Sequence, residues 1–203
     1  DFSSAGLTLA AIGLIFPARS IGAILGNVLS GIGSDLLGRW QLVWVSALLL
    51  AASLFVSSAT QVWLIFVIGF VLNSAAQSSL STSINALVAD ANRASRARAL
   101  NNLHAVYGFG AAVSPLIIGY LIDQGLEWRY ALGGTGVIWL AYAIATLLLS
   151  GGEARTHSRG KAENLDLRML REGPFLALFL VAFAYNGIAT SLLGWIAIYM
   201  QES

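Results

Sequence analysis

Six apolar runs, each long enough to cross a bilayer and separated by short polar segments, constrain this chain more than any other feature. They are Gly6 to Ser34, Gln41 to Ser58, Val62 to Ala89, Leu100 to Ile122, Tyr130 to Ser150 and Pro174 to Met200. About 20 helical residues span the hydrocarbon core, whereas an open sheet there leaves backbone groups unpaired. The strict alternation of a membrane barrel is absent. An all-α integral membrane protein with six transmembrane helices is therefore expected, with the lipid bilayer as its main solvent. Composition agrees: of 203 residues 57% are hydrophobic and only 10% charged, too few charges to coat a soluble globule. With no Cys and two His, disulfides, thiol chemistry and the usual metal sites are excluded, so neither a metal nor a cofactor is expected. A net charge of +1 gives no footing for a nucleic-acid partner.

Loop charges orient the helices, because Lys and Arg collect on the cytoplasmic side while acids count for little. Nine of the eleven basic residues, Arg39, Arg93, Arg96, Arg98, Arg155, Arg159, Lys161, Arg168 and Arg171, fall in alternate loops. The opposite loops hold Arg129, and Arg19 lies inside a span. The basic loops are thus expected in the cytoplasm of a cell with this protein in its inner or plasma membrane. Asp1 and Ser203 then lie outside. That parity, with no signal peptide, predicts one helix upstream of Asp1, so that the chain reads as a piece of a longer protein. Trp40, Trp63, Trp128 and Trp139 fall at or near span ends, as interfacial aromatics do. Pro17 lies within the first run, a position for a kink. The polar stretch Gly151 to Gly173 reads as a linker, with a short surface helix predicted over Asn164 to Arg171.

The first basic turn reads Gly31-Ile-Gly-Ser-Asp35-Leu-Leu-Gly38-Arg39-Trp40, a G-x-x-x-D-x-x-G-R pattern between two spans. Its glycines permit a tight turn, and Asp35 and Arg39 each suit an opposite charge or a helix end. The pattern resembles the loop signature of the major facilitator superfamily, which joins that family's second and third helices. The resemblance implies that Asp35 and Arg39 latch the cytoplasmic side and release as the carrier opens inward. One letter departs: Leu36 stands where the family usually has Lys or Arg.

Three further stretches carry the resemblance. Ile84-Asn-Ala-Leu-Val-Ala-Asp90 and Ala99-Leu-Asn-Asn-Leu-His104 through Gly108, Gly110, Ala112, Pro115 and Gly119 look like the fourth and fifth helices of the branch containing fucose and glucose/galactose permeases. Gly108, Ala112, Pro115 and Gly119 recur at helical spacing, which suits either close helix packing or a hinge. His104 near a helix end suits capping better than a proton relay. Tyr185-Asn186-Gly187 through Trp195 is similar to the seventh helix of the same branch. Ser81 and Ala189 stand where that branch carries acids, so the resemblance provides no coupling acid at either position.

What remains at membrane depth is polar and mostly uncharged. Asn73, Gln77 and Ser81 recur every four residues and share one helical face, drifting about 40° per step. Their amides and hydroxyl both donate and accept, which suits a sugar; a helix interface held by interhelical hydrogen bonds is the alternative. Arg19 is the one charge inside a span, and such a cation needs a cavity, an acid or an anionic solute. Tyr185, Asn186 and Trp195 complete the cavity candidates, Trp195 for stacking on a sugar ring or for the membrane interface.

The resemblance implies a partial major facilitator fold comprising helices two to seven of twelve. Residues 1–150 form the N-terminal bundle lacking its first helix, 151–173 the central cytoplasmic loop, and 174–203 the first helix of the C-terminal bundle. It implies a secondary transporter, not an enzyme, that moves a small polar solute, a sugar or related metabolite, by alternating access. Its partners would be that solute, a coupling proton or other cation, and the remaining helices of the parent chain. A drug or metabolite exporter, and a non-transporting membrane sensor or scaffold, are the competing readings.

Overall fold

The computed structural model describes residues 13–149 and, beyond them, the separate positions Gly173, Leu176, Ala177, Leu180, Val181 and Ala184. The chain divides into two compact units, Asp1–Arg159 and Gly160–Ser203. Five long helices belong to the first: α1 (Ile15–Leu36), α2 (Arg39–Ala59), α3 (Trp63–Ala91), α4 (Arg96–Asp123) and α5 (Trp128–Leu149). All five are long and apolar enough to cross a membrane, and no strand occurs among the described residues. The expected linker at 151–172 and most of the sixth candidate span, with Tyr185, Asn186 and Trp195, lie outside the described residues.

The helices overrun the apolar segments that predict them. Residue α3 continues through Asp90 to Ala91, and α4 starts at Arg96, four residues before its apolar run. Charge ends a hydrocarbon-compatible segment without ending a helix, because backbone bonding continues into the headgroup layer. Glycine ends two of the turns. Gly38 precedes α2 with φ 92° and ψ 150°, a conformation that a β-carbon resists. Gly125, also at φ 92°, follows α4, where Gly125 N–H bonds the Ile122 carbonyl and Leu126 N–H the Leu121 carbonyl. That pair of bonds is the Schellman closure of a helix C-terminus. At the start of α1 Leu14 keeps helical dihedrals, φ -63° and ψ -17°, but Pro17 has no N–H to offer the carbonyl of Gly13.

Helices in lipid gain nothing from burying apolar surface against one another, so association rests on close packing and interhelical hydrogen bonds. The α1–α3 contact is built that way. The buried residues of α1 are Gly22, Gly26 and Ser30, spaced four apart along one stripe. A β-carbon on Gly22 would collide with the Val71 carbonyl, and one on Gly26 with the Ala75 carbonyl, so the backbones themselves touch. Ser30 continues the seam, its hydroxyl lying 3.4 Å from both the Ser79 carbonyl and the Ser83 hydroxyl.

On its other side α3 meets α2 through a second set of small polar residues. Ser46 Oγ donates to Ser79 Oγ at 3.0 Å, and Ser57 fills the space over Gly69. Between these bonds Val43, Leu50, Ala76 and Leu80 form the apolar core, with Ile84, Leu87 and Trp139 packed against it. Trp139, partly buried near the middle of α5, therefore packs against this core, where its sequence position suggests an interfacial aromatic. Arg129, at the start of α5, donates to the Ser58 and Thr60 carbonyls, both at 2.9 Å, and so caps the C-terminus of α2. Its guanidinium also lies 4.8 Å from the Trp128 ring centroid. Helix α4 has no buried residue.

The seam makes a signed prediction. Gly26→Ala gains about 1 kcal/mol of helix propensity but adds a methyl where backbone already sits, an overpacking cost of about 1–3 kcal/mol. Its thermal midpoint in detergent should fall. Gly134→Ala, in open space on α5, should hold or raise the midpoint. Equal responses from the two variants would contradict the backbone contact.

Candidate functional site

The turn between α1 and α2 carries Gly31, Asp35, Gly38 and Arg39. Arg39 opens α2, and its Nη1 pairs with Asp90 Oδ2 in the last turn of α3. Both charges stand at the unfavourable end of their own helix dipole, a cation at an N-terminus and an anion at a C-terminus. Pairing them offsets both penalties and ties the start of α2 to the end of α3. Asp35, in the last turn of α1, is exposed and has no ion pair among the described residues. The two charged members of the motif are thus separated in role: Arg39 braces two helices, while Asp35 faces outward. Gly31 lies in open space.

A second site lies at mid-depth. Arg19 Nε donates to Ser74 Oγ at 3.4 Å. Ser74 is the twelfth of the 29 residues of α3, which places it about 17 Å along a helix about 44 Å long. The guanidinium is therefore anchored near the middle of a span.

The faces of α3 show what surrounds it. At about 100° per residue, Val71, Ala75 and Thr82 are turned about +60° to +100° from Ser74. This face meets α1, with Thr82 Oγ1 donating to Asn27 Oδ1 at 3.0 Å. Ala76 and Leu80, on roughly the opposite side, are buried in the core shared with α2. Gln77 and Ser81 fall between, about 60° and 20° from Ser74 on its other side, and both are exposed. Asn73 turns further toward α2 and donates from Nδ2 to Ser53 Oγ at 3.3 Å. The stripe legible in sequence therefore divides, with Asn73 half-buried at a helix interface and Gln77 and Ser81 on an open face beside Ser74 and Arg19.

The small-residue positions of α4, Gly108, Ala112, Pro115 and Gly119, are exposed, and no side chain or backbone outside α4 approaches Gly108 or Gly119 among the described residues. Pro115 sits inside the helix. His104 is likewise exposed on α4. Sequence reasoning had no means of finding the roles of Asp90 and Ser74, because their partners stand 51 and 55 residues away. The seam of Gly22, Gly26 and Ser30 also escaped sequence reasoning, although its four-residue repeat of small residues is the signal that points to it. No group of His, Asp and Glu among the described residues is arranged to hold a metal.

Long helices apolar enough to cross a membrane, joined by glycine-dependent turns, define a polytopic membrane protein. The model of the Major Facilitator Superfamily matches residues 2–203, and the chain belongs to that family of transporters. No curated protein and no solved structure matches it.

The ion pair gives a second prediction. Arg39 and Asp90 side chains are 42% and 47% exposed, so solvent screening holds their coupling to about 0.5–1 kcal/mol. A double-mutant cycle of Arg39→Ala and Asp90→Ala, read by thermal or denaturant unfolding, should return that coupling and lose it in high salt. Asp35→Ala paired with Arg39→Ala should show additivity.

Proposed function

We propose that this chain is the second to seventh helices of a twelve-helix secondary transporter that moves a small polar solute, a sugar or related metabolite, by alternating access. The observation that carries the reading is the open polar face at mid-depth: Arg19 on Ser74, with Gln77 and Ser81 beside it. A guanidinium, an amide and hydroxyls turned toward hydrocarbon would each lack partners at substantial cost, whereas an aqueous cavity satisfies them. Amides and hydroxyls that both donate and accept suit a polyhydroxy solute. Likeness to the fucose and glucose/galactose permease branch supports the sugar class.

In this reading the Arg39 loop faces the cytoplasm, as the clustering of basic residues supports. Asp35 and Arg39 belong to the gate. Arg39 holds α2 to α3 through Asp90, and exposed Asp35 engages the second half of the carrier when the cytoplasmic side is closed. Residues 1–150 act as one rocking bundle, 151–173 as the cytoplasmic connection, and 174–203 as the first helix of the other bundle, which contributes the cavity candidates Tyr185, Asn186 and Trp195. Gly108, Ala112, Pro115 and Gly119 give α4 a face for close packing of another helix or for a hinge. A coupling proton or other cation would be held outside the described helices, since the four acids among the described residues, Asp35, Asp90, Asp123 and Glu127, all flank the spans.

That lack of intramembrane acids among the described helices also favours a second reading, a sensor that binds solute without moving it. Uptake into proteoliposomes containing the full-length protein separates the two. Transport predicts saturable accumulation, a several-fold rise in KM for Gln77→Ala, and slowed exchange with little change in solute affinity for Asp35→Asn. Saturable binding with no flux for any solute in the panel would leave the sensor.

A further inference from the structure

We infer that the solute is an anion, a hydroxylated carboxylate such as a hexuronate or an aldonate, whose carboxylate is bound by Arg19. The inference rests on the mid-depth site being a solute cavity and names the chemical class of what enters it. Arginine cannot shed its proton in a protein, so the charge at this depth is permanent. Of the five N–H donors on Arg19, the bond to Ser74 uses Nε, and no acid or carbonyl among the described residues takes the two terminal nitrogens. The four acids among the described residues, Asp35, Asp90, Asp123 and Glu127, lie at helix ends or beside them, leaving no described carboxylate within the same layer.

The geometry suits a ligand. Ser74 holds the guanidinium by its inner nitrogen, which leaves the paired terminal nitrogens as a fork, the donor arrangement that matches both oxygens of a carboxylate. Gln77 and Ser81 continue from Ser74 along the open face, one and two turns further along α3. The hydroxyls of a polyhydroxy chain or ring would extend along that row, finding an amide and a hydroxyl able to pair with them in either sense. A neutral sugar would satisfy Gln77 and Ser81 but leave the guanidinium in a closed cavity without a countercharge. A carboxylate supplies one.

Equilibrium binding to the purified full-length protein in nanodiscs tests this, with matched probes that differ only in charge: glucuronate, galacturonate and gluconate, each against its amide and its parent aldose. At least one acid should bind about tenfold or more tightly than its amide, the scale of a charge-assisted bidentate contact. Arg19→Gln should erase that preference, and Arg19→Lys should retain part of it, since a point charge replaces the fork. The inference is overturned if every acid binds no better than its amide, if no acid binds, or if Arg19→Gln keeps the preference. Should the Gln variant not fold, the acid-to-amide ratio of the unsubstituted protein still decides. Flux is scored separately in proteoliposomes. Arg19-dependent binding of an acid without flux defeats transport and leaves the anion site standing, whereas flux of a neutral aldose with no preference for acids defeats the anion site alone.

Discussion

Backbone contact between α1 and α3 is the interaction on which the rest of the described structure depends. Lipid gives two apolar helices no reason to pair, so the contact must come from shape: Gly22 and Gly26 let α1 approach until it touches the carbonyls of Val71 and Ala75. Ser30 then bonds across to the Ser79 and Ser83 region, where a third helix joins through Ser46. Each such bond is worth on the order of 0.6 kcal/mol in a membrane protein, a value that contributes modestly to strength but fixes register. Register matters here because it sets which face of α3 is left over.

That remaining face is polar. With Val71, Ala75 and Thr82 against α1 and Ala76 and Leu80 in the core with α2, the open sector of α3 presents Gln77 and Ser81, and α1 brings Arg19 to its edge on the buried Ser74. The same helix carries Asp90 at its end, where the pair with Arg39 holds the turn that follows Gly38. One element therefore joins mid-depth chemistry to the terminal brace. A tilt of α3 relative to α1 and α2 would be felt at both places.

The sequence read alone carried the architecture well, for a physical reason. Hydrocarbon demands long apolar runs with every backbone group satisfied, so five spans fall where the runs fall, and only the ends shift as helices reach into the polar layer. Side-chain pairings were less legible. Arg39 is visible as a motif residue, but its tie to Asp90 depends on how three helices are arranged, as does the placing of Arg19 on Ser74. Trp139 shows the limit of reasoning from span ends, since helix geometry turns it against the core. The division of Asn73 from Gln77 and Ser81 shows a similar limit: a drift of about 40° per four residues is enough to carry one end of a stripe from an open face into an interface.

Thiol accessibility along α3 tests most directly whether its open face lines water. The chain contains no cysteine, so single substitutions report individually within it. In membranes holding the full-length protein, Gln77→Cys and Ser81→Cys should react with a membrane-impermeant maleimide and be protected by bound solute, while Ala76→Cys and Leu80→Cys should stay silent. Silent thiols at positions 77 and 81 in a correctly inserted protein would place that face against lipid or protein and contradict the account.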